Sequence, residues 1–327
     1  IMIFNNSLNF INNSFIFFKK RIRSLYLNSN IYNKKITPSI IGSLEYRPSP
    51  SLLDSLIKYD KIKINIEKYS LNNIWDNKRL ISKDFKNLNS FFWLFSLDLK
   101  SSKKDIQKVI QQWIDKNHRY SSKSWEVDIV AKRIIAWTSN SRLTYEDGSP
   151  NYKDNFNSII KKQINYLIDE IERSDWVNDK MIGCAAVILT GLSYQDKNSY
   201  LDKGLNLLKK FVKYSLDNDG FPKSRNIRQL NFYLKYFILI REWLRESQSE
   251  IPDHINENIY YLGQAYAFTW KNNKVDLLFN GNHETNNNDF DRYLKKLGYN
   301  FKCQSNELGG YAILNNKKNS LIMDIGA

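Results

Sequence analysis

Between residues 51 and 268, apolar residues recur at a helical period in one segment after another, and no alternating, strand-like stretch interrupts them. Ile106, Val109, Ile110 and Trp113 share one helical face, as do Val127, Val130, Ile134 and Ile135. Ile160, Ile164, Leu167, Ile168 and Ile171 share another. The same spacing predicts helices over 181–192, 205–216, 230–244 and 255–268. The turn clusters Asp147-Gly148-Ser149-Pro150 and Asp217-Asn218-Asp219-Gly220-Phe221-Pro222 punctuate these runs. About eight or nine consecutive helices, each with one apolar stripe, bury those stripes only against one another, which predicts an all-α layer of antiparallel hairpins. No fixed sequence period appears, so a superhelix of regular repeats is disfavoured.

The pattern changes after Lys274. Residues 275–279, 311–314 and 320–324 read as short strands, the last two separated by the polar turn Asn315-Asn316-Lys317-Lys318. Residues 1–50, with stops at Pro38, Pro48 and Pro50, read as an irregular approach segment. The expected organisation is therefore an irregular segment over 1–50, a helical domain over 51–273, and the first strands of a β domain over 274–327. A strand pair is marginal by itself, so the chain is expected to be a fragment or to lack most of its β domain.

Composition narrows the function classes. With 327 residues, 42% of them hydrophobic, the chain can bury a large core, which excludes disorder as its main state. Lys and Arg number 49 against 34 Asp and Glu, a net charge of +15. Such an excess suits anionic partners: nucleic acid, acidic polysaccharide or a membrane surface. An abundance of Lys, Asn and Ile would produce the same excess by compositional drift. Cys184 and Cys303 stand far apart, which excludes a disulfide framework and a zinc site. Cys184, within an apolar run, reads as a small buried residue. No apolar run reaches the ~18 residues of a membrane-spanning helix. At the N-terminus, Lys19, Lys20, Arg21 and Arg23 follow the apolar pieces instead of preceding them, the reverse of a secretory signal. No P-loop, GxGxxG, GxSxG or HExxH pattern occurs, which argues against nucleotide and zinc-protease chemistry and implies no cofactor.

Four segments are candidates for chemistry. In the first, Arg133 and Trp137 stand four apart on one helical face, a cation beside an aromatic platform that suits an acidic sugar. Core packing of the Trp with Arg133 at its rim is the competing reading. The second places Asn178 where a helix cap would stand, with an amide able to donate to a substrate carboxylate. The third brings Arg225 and Arg228 to a helix start, the end where a cation is electrostatically disfavoured, with Ser224 or Asn226 as the cap. An anionic ligand arriving there would account for that placement. The fourth carries His283 after a Gly-containing turn at the change from helices to strands, the best placed of three histidines for proton transfer. His118 and His254 read as exposed helix ends.

In their order and spacing, SWEVDIVAKRIIAW, the helix ending AAVILTGL, DNDGFPKSRNIRQL, LFNGNHE and GGYAILNNKKNSLIMDIGA together resemble the heparinase II/III-like family, particularly its bacterial members of unassigned specificity. The resemblance spans roughly residues 30–327 and implies an incomplete (α/α) toroid followed by an antiparallel β-sandwich. Active members of that family are polysaccharide lyases that remove the C5 proton of a uronate and expel the 4-linked oxygen. Such chemistry requires a group to neutralise the carboxylate and groups to move the proton. On this resemblance Asn178 is the carboxylate-neutralising Asn, with Asp179 where a His often follows. Gln229 occupies the place of the expected Tyr, and Tyr233, one turn on, is the nearest phenol. His283 stands in for the His of the sandwich, and Arg225 and Asn226 hold the anionic sugar.

The reading is a lyase of uronate-containing glycans with candidate catalytic residues Asn178, Gln229, Tyr233 and His283, and a substrate groove of Arg133, Trp137, Arg225, Asn226 and Arg228. One alternative is a non-catalytic binder of acidic glycan with the same fold, motivated by Gln229 at the Tyr position. Another is a basic α-helical nucleic-acid binder, motivated by charge alone. The family works in the cell envelope or outside the cell, and the sequence itself leaves the compartment open.

Overall fold

The computed structural model describes residues 2–53, 74–76, 82–97, 102–194, 200–271, 279–281, 287–315 and 320–326. The helices, in chain order, begin with α1 (Met2–Leu27), α2 (Asn30–Ile36), α3 (Ser82–Ser90) and α4 (Lys103–Asn117). There follow α5 (Val127–Ser139), the short α6 (Ser141–Thr144), α7 (Pro150–Glu170) and α8 (Val177–Tyr194). The series ends with α9 (Tyr200–Ser215), α10 (Ile227–Glu246), α11 (Asp253–Tyr266) and α12 (Asn288–Lys296). Every helix expected from periodicity is present. Their starts are specified locally: Ser102, Ser149 and Asn226 accept backbone N–H groups at the starts of α4, α7 and α10, and Pro150 opens α7.

Two expectations need correction. Residues 1–50 are not irregular, because α1 and α2 occupy most of that span and α2 packs into the body. Tyr32, Ile36, Leu44 and Leu53 are buried, the Lys162 ammonium reaches Asn33, and the backbone N–H groups of Glu45 and Tyr46 donate to the Ser193 carbonyl. Pro38 follows the end of this helical pair, Pro50 opens a short 3-10 turn over Pro50–Leu53, and the Asn-broken apolar pieces near the N-terminus form one continuous helix. The second correction is α12, which lies where only strands were expected. Its apolar residues Phe290, Tyr293 and Leu294 recur at helical spacing and are buried.

The helical layer is built from hairpins whose direction can be read from the contacts. Gly191 late in α8 faces Leu201 early in α9, and Gly204 faces Ile188, so this pair is antiparallel. A Cβ at Gly191 would collide with the Leu201 backbone, which makes glycine the residue that lets these helices approach. Phe211 near the end of α9 packs edge-on against Tyr233 near the start of α10, and Asn256 early in α11 bonds Arg241 late in α10. Early in α8, Gly183 lies against Val127 at the start of α5. Helices α5, α8 and α10 therefore run parallel to one another and α9 and α11 run the opposite way, as does α7, whose Asn157 in its first half accepts from Tyr194 at the end of α8. The starts of α5, α8 and α10 gather at one rim.

The end of the chain forms a three-stranded antiparallel sheet in the order β1 (Glu307–Leu308), β2 (Tyr311–Asn315), β3 (Ser320–Asp324). Tyr311 lies opposite Asp324 and Ile313 opposite Ile322. The strands expected over 311–314 and 320–324 are thus present and paired, while residues 275–278 and the turn residues 316–318 lie outside the described residues. Tyr311, Ala312 and Ile313 are buried, whereas Leu314 and Leu321, paired at the turn end of the hairpin, are exposed. No helix among the described residues is long and apolar enough to cross a membrane.

Candidate functional site at the rim of the helical layer

Asn178 is exposed in the first turn of α8, inside the helix and not at its cap. The turn before it is shaped by Ser174, whose hydroxyl accepts from the Trp176 N–H and faces the Asp179 carboxylate at 3.3 Å. Asp179 is half-buried between the starts of α8 and α5. Burial pushes its carboxyl up to about 6, Asp128 adds to the rise, and the Ser174 hydroxyl and Lys132 partly oppose it. Around it the acidic groups are partnered, Glu126 by Lys86 and Asp128 by Lys132. Asp179 is therefore a half-buried carboxyl with a raised pKa set among acids that have cationic partners. Sequence reasoning noted it only as a departure from a family pattern, because Asp128, 51 residues earlier, becomes its neighbour only through packing.

Beside this turn a cleft of about 360 Å³ opens between the start of α8 and the end of α9. Val177, Lys180, Lys210, Phe211 and Tyr214 line it. The Tyr214 ring is largely exposed, as is Trp176 in the preceding turn. Lys180 donates to the Glu172 carbonyl and Lys210 pairs with the Glu172 carboxylate. Aromatic faces and ammonium groups thus meet at the end of the layer that carries Asn178.

At the start of α10, Asn226 caps the helix: its side-chain oxygen accepts from the N–H groups of Arg228 at 2.9 Å and Gln229 at 3.2 Å. Its amide donates to the Asn280 carbonyl at 2.8 Å, joining the helix start to the segment 279–281. The Ser224 hydroxyl donates to the Gln229 side-chain oxygen. Arg228 is exposed, and its guanidinium has no hydrogen-bond or ion-pair partner among the described residues.

Three expected site residues are placed elsewhere. Arg225 does not face a ligand. Its guanidinium donates to the carbonyls of Gly309 and Gly310, pairs with Asp324 and lies over the Tyr311 ring. The charge set against the helix dipole is thus answered from within the chain. Arg133 and Trp137 are both 0% exposed. The Arg133 guanidinium stacks 3.9 Å over Trp113 and donates to the Asn89 and Ser124 carbonyls and to Gln163, while Trp137 packs among Phe91, Trp113 and Phe156. A residue sealed from water on every side cannot meet a polysaccharide, so the core reading of this pair holds.

Tyr233 is a fourth correction. It is also 0% exposed, its hydroxyl finds no partner among the described residues, and burial raises its pKa. A phenol so placed neither reaches a substrate nor ionises. His283 lies outside the described residues. Of the two other histidines, His118 is exposed at the end of α4, as read, whereas His254 is half-buried in the first turn of α11. Cys184 is buried as expected. Among the described residues no group of His, Cys, Asp or Glu is gathered in a way that could hold a metal ion.

No family model matches the sequence, and no curated protein matches it either. Solved structures match in shape. Heparinase III superposes with a TM-score of 0.57 at 13% identity, over 90% of this chain and 56% of its own. The fold is an incomplete (α/α) toroid. Heparan sulfate lyase HepC from Pedobacter heparinus gives a TM-score of 0.55 at 13% identity, and a mutant of it 0.56 at 15%, each over 76% of this chain and 45% of its own. The chain spans about half the length of these heparinase-like structures. At such identities the likeness is one of fold, and it agrees with the order of helices and strands read from the sequence.

Proposed function

We propose that the protein is a polysaccharide lyase acting on a uronate-containing glycan, with its reaction centre at the rim where α5, α8 and α10 begin. One observation carries this reading: an exposed Asn178 adjoins a carboxyl poised near 6 on a toroid similar to heparinase III. Removing the proton beside a uronate carboxylate requires that carboxylate to be hydrogen-bonded or neutralised, a role open to the Asn178 amide. Asp179 is ionised at neutral pH yet more basic than an ordinary carboxylate, which suits it to accept that proton. The cleft residues Lys180, Lys210 and Tyr214, with Arg228 at the start of α10, offer charge and ring faces to the neighbouring sugars. The similar structures are described as a heparinase and as heparan sulfate lyases, so heparan sulfate is the first glycan to test.

The test is ultraviolet absorbance of the unsaturated uronate product, with the full chain and a panel of uronate glycans. Product from at least one glycan, reduced about 10²-fold or more by Asn178→Ala, is the expected result. No product from any of them overturns the proposal. A second reading, a non-catalytic binder of acidic glycan, is favoured by the start of α10, where Gln229 is held by Ser224 and Tyr233 is buried. Glycan binding without turnover, unaffected by Asp179→Asn, supports that reading.

A further inference from the structure

Helix α1 displays apolar side chains on the side facing away from the protein. Phe15, Phe18, Ile22 and Leu25 are between 51% and 68% exposed, and their 3-4-3 spacing places them on one stripe of the helix. The opposite side is the one fastened to the body: Lys20 pairs with Asp175 at 2.6 Å, Arg23 with Glu170, and Leu27 is buried. Ile16 and Phe17 are exposed as well, so the turn 15–18 is apolar all round. Lys19 and Arg21 sit about 80° to either side of the stripe's centre at 100° per residue, both exposed, and the Lys19 ammonium lies 4.4 Å over the Phe15 ring. The helix contains no Asp or Glu.

We propose that α1 lies in the plane of a bilayer that contains anionic lipid, its stripe among the upper acyl chains and Lys19 and Arg21 among the headgroups. Charge decides between this occupant and a second copy of the chain. Pairing two α1 stripes would set Lys19 and Arg21 against their own counterparts, with no acid on the helix to separate them. An anionic surface meets the same two cations with opposite charge, and their long stems let the charged ends reach the headgroups while the apolar stripe is buried. A turn that is apolar on all sides is also better covered by lipid, which surrounds it, than by one protein groove. The body then hangs from α1 through Lys20 and Arg23. The inference is independent of the glycan reading, since it uses none of the rim residues.

Flotation of the full chain with vesicles tests it, comparing phosphatidylglycerol–phosphatidylcholine vesicles with phosphatidylcholine alone. The chain is expected to float with the anionic vesicles, and Phe18→Glu/Ile22→Glu to abolish this with an unchanged melting temperature, because both side chains are exposed. Lys19→Glu/Arg21→Glu is expected to weaken binding roughly tenfold or more. Absence of binding to anionic vesicles, or undiminished binding by Phe18→Glu/Ile22→Glu, overturns the proposal. So does a dimer in sedimentation equilibrium that Phe18→Glu/Ile22→Glu dissociates.

Discussion

Arg225 and Asp324 form an ion pair across 99 residues of sequence, fastening the start of α10 to the last strand of the sheet. Tyr311 completes the clasp by donating to the Arg225 carbonyl at 2.8 Å, beneath the guanidinium that lies 4.7 Å from its ring. The close approach needs a residue without a side chain at 310, where a Cβ would meet the Arg225 guanidinium and the Gly326 carbonyl. Arg225 itself adopts a positive φ of 56°, a conformation that this set of partners holds in place.

Arg225 and the Gly326 N–H hold the Asp324 carboxyl below its ordinary value of 3.8. A depressed carboxyl contributes stability above its unfolded pKa and loses it as pH falls through the folded one. Wild type is therefore expected to melt above Asp324→Asn at neutral pH, with the gap closing as pH drops below about 4. Melting curves from pH 3 to 7 read this directly, and a gap independent of pH would refute the clasp as a charged pair.

Arg133→Ala is expected to lower unfolding stability by about 3 kcal/mol or more, because it empties a core site and strands the Asn89 and Ser124 carbonyls. Arg133→Lys should rescue little, since an ammonium lacks the planar group that stacks on Trp113 while Nη1 serves the two carbonyls and Nε serves Gln163. Urea titration measures both. Full stability of either variant with weakened glycan binding would return Arg133 to the substrate.

A folded pKa near 6 at Asp179 has the opposite sign to Asp324. The protonated form is the one the fold prefers, so this contribution is complete below the unfolded value and lost as pH rises through about 6. Asp179→Asn is therefore expected to be more stable than wild type at pH 7 by roughly 1 kcal/mol, an amount reduced for the solvent screening of a half-exposed group. At pH 4 the advantage should vanish. An NMR titration of the Asp179 carboxyl that centres near 4 would contradict it.

Tyr233→Phe removes a buried hydroxyl that has no partner among the described residues. The variant is expected to match or exceed wild-type stability, by up to about 1 kcal/mol, and to leave any elimination activity unchanged. A large fall in kcat with the melting temperature intact would show that this phenol reaches substrate after all.

The helical layer was legible from the chain itself because a stripe at a 3.6-residue period is a local property: α4, α5 and α7 to α11 each announce their buried face. The cap at Asn226, the turn at 147–150 and the strands at 311–314 and 320–324 were legible for the same reason. The helix α1 escaped because its apolar stripe faces outward and Asn residues break it into short pieces. Arg133 and Trp137 suggested a sugar-binding face and Tyr233 a proton-transfer group, yet residue type and spacing are the same for a groove and for a core.

Local pattern alone therefore determined an all-helical layer followed by antiparallel strands, with the start of α10 at the cap Asn226. Tertiary structure alone decided which charges are free. Burial and pairing depend on groups brought together from distant parts of the chain, as Asp324 is to Arg225, Trp113 to Arg133 and Asp128 to Asp179. No spacing along the sequence encodes those neighbours, which is why Arg133 and Arg225 are engaged within the chain and the proposed reaction centre rests on the first turn of α8 instead.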